Sequence, residues 1–231
     1  MKVMIKTLVM LLIPLYLHSF STTNIQYLYG NFNGNSGFDT VNGGKSTVTL
    51  EHFTAYQYGD IFAFIDIGVA DDVFRSDKSS DIYFEISPRF SFSKLVKKDF
   101  TFLFVKDIFI AFQYNRQVHT FEDYEAKLYG IGSDLKMKGF DIFGCNLYNK
   151  KQNFGDDTYQ LSFNYTSNNI FNTKITFDGF TDWTKGDLLS QNKLLYKLNS
   201  TIFVGTEWHY YKLKDTNTKS NVLQAIVMYK W

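Results

Sequence analysis

The stretch "NVLQAIVMYKW", residues 221–231, reads with period two. Counting back from Trp231, Tyr229, Val227, Ala225 and Leu223 share one side, and all are apolar. The other side carries Lys230, Met228, Ile226, Gln224 and Val222, a mixed set. Such alternation marks a β-strand with two unlike faces. An amphipathic strand at the end of a chain needs a neighbour on each edge, or it frays or pairs with foreign strands. Closing the sheet into a barrel supplies both neighbours.

Composition narrows the choice further. Net charge is +1 over 231 residues and no long run of one sign occurs, which excludes nucleic acid as a partner class. The one cysteine, Cys145, rules out an internal disulfide and a cysteine-based metal framework, and no cofactor or metal is expected. Aromatic residues make up 19%, with 24 Phe, 16 Tyr and 3 Trp, against only 2 Pro. Many aromatics with little proline suit strands, and suit the aromatic girdles of outer-membrane barrels.

The start of the chain reads as an export signal. Lys2 and Lys6 precede the apolar "LVMLLIPLYL" (8–17), and Ser19 and Ser21 offer small residues for cleavage after Ser21. The apolar run is shorter than the about 20 residues a membrane helix needs. The predicted organisation is therefore a signal peptide over 1–21 and one barrel over 22–231. The mean hydropathy of −0.20 resembles that of a soluble protein. Hydropathy averages are blind to membrane strands, because alternate residues cancel.

Alternating stretches separated by polar or Gly-rich gaps predict strands at 25–33, 45–57, 60–70, 81–93, 101–115, 122–133, 138–149, 157–167, 172–182, 190–199, 201–213 and 221–231. Twelve is an even number, and most stretches lie near the about 9–11 residues that cross a tilted barrel wall. The fold class is all-β, a transmembrane antiparallel barrel of 12 strands. With a periplasmic N-terminus, "GNSGFDTVNGG", "DDVFRSDKSS", "KKQNFGDD", "DWTKGDL" and "KDTNTKSN" become outer gaps. "YGD" and "NS" (199–200) become tight inner turns, while the inner gaps "KLVKKDF" and "SDLKMKG" are longer than the rule wants. The C-terminal aromatic strand ending in Trp231 is expected to be read by the barrel-assembly machinery.

Lys or Arg on the lipid face at mid-depth costs about 2–4 kcal/mol, so the cheaper register turns charges inward. Ile61, Ile65, Ile67 and Val69 then meet lipid, as do Ile82, Phe84, Ile86, Phe90 and Phe92. The predicted lumen carries Glu51, Phe53, Phe64, Asp66, Tyr83, Glu85, Arg89, Glu125, Lys127, Asp178, Glu207 and His209. Phe62, Tyr129, Phe180, Lys193 and Tyr211 fall on the same side. His52 falls on the lipid-facing parity, placed either at an interface or by a bulge that shifts its phase. Pro88 is expected to mark a bulge near the inner rim. Aromatic rings beside hydrogen-bonding groups suit a flat polar ring carrying a sugar, which can stack and bond at once. The alternative is that these charges only pair across a plugged lumen.

Several segments resemble the Tsx-type nucleoside-specific outer-membrane channels. "YFEISPRFSFSKL" (83–95) looks like that family's most recognisable segment, with Glu85, Pro88 and Arg89 in matching places. "LEHFTAYQYGDIFAFIDIGVAD" is similar to its second hairpin, with Glu51 and Asp66 matched. "VKDIFIAFQYNRQ", "LYGIGSDL", "NLYNKKQNFGDDTYQLSFNY", "FDGFTDWTKGDL" and "EWHYYK" follow in order. The resemblance implies a monomeric 12-stranded barrel in outer-membrane lipid. It also implies a narrow, flattened pore with weak nucleoside sites and passive diffusion. The chain departs from the family in its reduced outer loops.

Three other classes remain in view. A lipid-acting barrel enzyme needs a serine and a histidine within reach on the outer wall; His52 shares a face with Thr54, and neither it nor His119 or His209 has a serine two residues away on its strand. A secreted soluble ligand-binding barrel would have 8 strands and a polar exterior. A structural wall protein would show no solute preference.

Overall fold

The computed structural model describes residues 18–33, 42–70, 79–118, 123–216 and 218–231. The first half of the chain gives β1 (His18–Asn33), β2 (Asn42–Tyr56), β3 (Gly59–Ala70), β4 (Ser79–Ser91), a short helix α1 (Phe92–Val96), β5 (Val105–Val118) and β6 (Tyr124–Leu135). The second half gives β7 (Ile142–Gln152), β8 (Thr158–Ser167), β9 (Ile175–Thr184), β10 (Asp187–Lys197), β11 (Ile202–Leu213) and β12 (Thr218–Lys230). Each strand pairs antiparallel with its chain neighbours, and β12 returns to β1 to close the barrel. Trp231 completes the seam: its N–H donates to Thr23 O at 2.9 Å and its carbonyl accepts from Thr23 N at 3.1 Å. Every strand of the predicted twelve is present, with ends displaced by a few residues. The residues 1–17 of the expected signal peptide lie outside the described residues, and β1 begins at His18, within the stretch expected to be removed.

Period-two burial follows directly from the closed wall. In β12, Val222, Gln224, Ile226 and Met228 are buried, while Leu223 and Val227 are 65% and 51% exposed. Apolar groups so exposed are costly in water and favourable in hydrocarbon, so this surface is a lipid-facing skin. No helix among the described residues is long and apolar enough to cross a membrane. Outward aromatics gather towards both ends. Phe140, Phe143, Tyr165 and Phe177 stack in series at 5.4–6.2 Å near the rim that holds the termini, and Tyr229 lies 5.6 Å from Trp231 there. Trp208 and Tyr210, 5.7 Å apart, lie towards the opposite rim.

The interior is not uniformly hollow. Leu28, Leu195, Phe203, Ile226 and Met228 pack into one cluster on the inner face of β10, β11, β12 and β1. Phe32, Ala70 and Val222 continue it towards the opposite rim. Ala111, Ala126, Leu128 and Tyr148 form a separate cluster on β5–β7. Two sectors of the wall are thus thickened by apolar packing, leaving the inner faces of β2–β4 and β8–β9 polar and aromatic.

Two local expectations are corrected. Pro88 makes no bulge: it stays in register with Ile61, and the offset between Ile86↔Tyr114 and Arg89↔Ala111 is unchanged across it. A proline costs a ladder its N–H, and here the β4–β5 ladder simply omits that rung. The register shifts of the barrel lie instead at His18/Phe20 and Val105/Asp107, at the terminal rim. His52 keeps its outward phase without a shift and takes a 2.8 Å hydrogen bond with Thr23 Oγ1, level with the Trp231 seam. The expected bulge is therefore not what sets its phase.

Loop lengths also depart from the long–short rule. The gap "DWTKGDL" contracts to residues 185–186, because Thr184 Oγ1 accepts from the N–H groups of Gly186 and Asp187 at 3.1 and 3.0 Å. At the terminal rim residues 92–104 form a long connection. "GNSGFDTVNGG" and "DDVFRSDKSS" lie largely outside the described residues.

Candidate functional site

Inward parity is fixed from strand to strand, because antiparallel partners point to the same side. The register Glu51↔Phe64↔Glu85 and Thr49↔Asp66↔Tyr83 puts all five predicted lumen residues of this set on the inner wall. Phe53, Arg89, Asp178, Glu207 and His209 follow the same parity. Glu125 and Lys127 do not. They pair with Arg116 and Tyr114 on the outward parity of β5, and their side chains are 38% and 68% exposed. The inward positions of β6 go to Ala126, Leu128 and Asp134, and Tyr129 also turns outward. The reason is depth: near a rim an outward charge costs only about 0–1 kcal/mol, and Glu125 and Lys127 pair with each other at 2.6 Å. Burial of Leu128 and the need of Arg89 for Asp134 then set the phase.

Close to the terminal rim the inner wall carries a tight ionic cluster. Arg89 donates Nε and Nη2 to Asp60 at 2.9 and 2.8 Å, and Nη1 to Asp134 at 2.9 Å. Its guanidinium also lies 4.2 Å from the centre of the Phe109 ring. Three of its five N–H donors are held by two carboxylates on neighbouring strands, so Arg89 braces β3, β4 and β6 as an ion-paired group.

At mid-depth one contact crosses the lumen. Lys193 Nζ on β10 reaches Glu51 Oε2 on β2 at 3.2 Å and Asp178 Oδ1 on β9 at 3.8 Å. Between β2 and β10 stand β1, β12 and β11, so this pair spans a third of the circumference. Asn24 and Gln26 donate to the two Glu51 oxygens at 2.9 and 3.2 Å, and Gln224 donates to Glu207 at 3.0 Å. Gly30 leaves the room for this: a Cβ there would stand 2.7 Å from Gln224 Cγ. The network lies over the apolar cluster of β10–β1 and closes that side of the bore.

The remaining side holds an aromatic strip. Phe62, Phe64 and Tyr83 follow one another at ring separations of 5.8 and 5.6 Å. Beside it Glu85 accepts from Ser87 Oγ and Gln113 Nε2, each at 3.0 Å, and Thr49 donates to Asp66 at 2.5 Å. Asp182 stands on the inward parity of β9, in register with Ser162 and Leu189. Phe180, Asn164, Ser162 and Gln160 complete the β8–β9 wall. His209 contacts Gln191 at 3.2 Å and the edge of Phe32 at 5.9 Å, within the filled sector. Of the mid-depth carboxylates Glu51, Asp66, Glu85, Asp178, Asp182 and Glu207, Glu51 and Asp178 pair with Lys193, while Lys45 and Lys150 stand on the same inward parity further along the wall. Asp182 was within reach of the sequence, since it continues the parity of Asp178 and Phe180. The cross-barrel partners carried no such signal.

A closed antiparallel barrel with an apolar skin, a polar inner wall and aromatics near both rims is an outer-membrane channel for small solutes. Residues 23–221 match the model of the family described as nucleoside-specific channel-forming protein, Tsx, and the chain belongs to that family. It is 28% identical over 198 residues to outer membrane protein OmpK of Vibrio parahaemolyticus, covering 79% of this chain and 73% of that one. Among solved structures it is similar in fold to a KdgM porin in complex with disordered oligogalacturonate, with TM-score 0.51 and 11% identity over 89% of this chain and 98% of that one. A second KdgM porin structure gives TM-score 0.50, again at 11% identity with coverage of 89% and 98%.

Proposed function

We propose that this channel passes nucleosides by passive diffusion and performs no catalysis. The Phe64–Tyr83 ring pair, flanked by Glu85 and Asp66, carries the reading. A nucleobase can stack on the rings while ribose hydroxyls donate to the carboxylates, a combination that a plain sugar cannot match. Family membership supports it, because the family is defined by nucleoside specificity. The barrel works as a monomer in outer-membrane lipid, is exported by cleavage after Ser21, and is recognised by the assembly machinery through its last strand. Glu51, Phe53, Asp66, Glu85, Asp178 and Glu207 line the route.

The test is single-channel conductance in planar bilayers with adenosine or uridine added. Nucleoside should block ion current where a hexose of similar size does not. Replacing Phe64 and Tyr83 with Ala should weaken the block about 5- to 150-fold, from the about 1–3 kcal/mol that one base gains by stacking on an aromatic ring. Equal block by hexose and nucleoside would remove the substrate assignment and leave the barrel intact.

A further inference from the structure

Two connections at the terminal rim, 92–104 and 136–141, form one composite surface. Helix α1 is capped by Ser91, whose Oγ accepts from Lys94 N at 3.1 Å and donates to Asp107 at 2.6 Å. The helix stops at Lys97 in the left-handed region (φ 54). The chain then makes a two-residue reversal in which Phe102 and Val105 exchange backbone hydrogen bonds of 3.1 and 2.8 Å. Leu103 stands at its tip with φ 51. Phe104 O accepts from Lys136 N at 2.6 Å, and Lys106 Nζ reaches Asp141 O at 3.4 Å, so the second connection is tied to the first.

This surface is apolar and basic together. Leu103, Phe102 and Phe104 are 73%, 69% and 57% exposed, with Leu95, Val96 and Met137 also exposed. Around them lie Lys94, Lys97, Lys98, Lys106, Lys136 and Lys138, and none of these forms an ion pair among the described residues. The nearby acids are spent locally. Asp99 accepts from Thr101 N at 2.7 Å, and hydrogen bonding from the Thr101 hydroxyl and then its N–H, with a smaller contribution from Lys136, holds its carboxyl below the ordinary value. Asp107 accepts from Ile108 N at 2.8 Å, and Asp141 from Asn168 N at 2.7 Å. A leucine at positive φ is strained where glycine would be free, and in water its exposed side chain returns nothing for that strain. Directly above, the outward side chains Ile108, Ile110 and Phe112 of β5 continue into the lipid-facing skin.

We propose that this element seats in the headgroup layer of the phospholipid leaflet at the terminal rim: Leu103, Phe104 and their neighbours dip below the headgroups, and the lysines bind the phosphates of anionic glycerophospholipids. Apolar tips flanked by uncompensated lysines are the arrangement that such an interface recognises. The occupant is an anionic lipid surface rather than a protein, because the patch is continuous with surface that already meets lipid and is of opposite sign to the headgroups.

The full chain, reconstituted in liposomes of phosphatidylcholine with phosphatidylglycerol, tests this in two independent ways. In a Cys145→Ala background, a spin label on Leu103→Cys should collide with oxygen and be shielded from an aqueous nickel chelate. A label on Asn199→Cys at the same rim should meet the chelate freely. Equal chelate access at both positions overturns the seating. Spin-labelled phosphatidylglycerol should be restricted by the protein severalfold more than phosphatidylcholine. That preference should fall towards one in the Lys94, Lys97, Lys98 and Lys136→Gln variant, and in about 1 M salt, where charges are screened within about 3 Å. A wild-type preference absent, or unmoved by salt, overturns the headgroup assignment even if the variant fails to fold.

Discussion

Removing Arg89 should destabilise the barrel by a measurable amount. Arg89→Ala deletes three charge-assisted hydrogen bonds of 2.8–2.9 Å and the contact with Phe109, and it strands Asp60, which is 8% exposed. Breaking a buried pair by deleting one partner costs about 3–5 kcal/mol. The Asp134 side chain is 30% exposed and can rehydrate, so the lower figure, about 3 kcal/mol, applies here. With a urea slope of about 2–3 kcal/mol/M, the unfolding midpoint in lipid should fall by about 1–1.5 M. The shift is read from gel mobility of unheated samples across a urea series. Adding Asp60→Asn should recover part of the loss, because the stranded charge goes with it. An unchanged midpoint for Arg89→Ala, or a double variant as weak as the sum of the singles, would refute the bracing role.

Lys193→Met should leave the barrel assembled, since Glu51 keeps Asn24 and Gln26, and should raise cation selectivity. One charge acting at about 4 Å through water is worth about 1 kcal/mol, about fivefold in local ion population. The reversal potential in a potassium chloride gradient measures this, and a move towards chloride would refute it. Trp231→Asp should lower the amount of folded protein in the outer membrane, because the seam loses its aromatic anchor beside Tyr229; surface labelling at wild-type levels would count against that.

The strands were legible because the wall separates two solvents, and every strand must show both of them in alternation. The inner faces of β2, β3, β4, β9 and β11 followed, since their charges sit at a depth where only one side is tolerable. On β6 that logic failed: Glu125 and Lys127 lie near a rim, where the outward side is nearly free of cost. Pro88 looked like an interruption, but a strand can drop one rung without slipping. The bracing of Arg89 and the reach of Lys193 to Glu51 were beyond any local pattern. Lys193 and Glu51 are 142 residues apart and come together only through the curvature of the closed sheet.

The seam between β1 and β12 registers only six pairs, from Asn24↔Lys230 to Tyr29↔Ala225, against fifteen between β1 and β2. Joining ends about 200 residues apart costs roughly 5 kcal/mol of chain entropy, whereas each hairpin closes over a short connection. The shortest zipper therefore has the farthest ends to bring together, so it fastens last during biogenesis and marks the line along which a strained cylinder would first part.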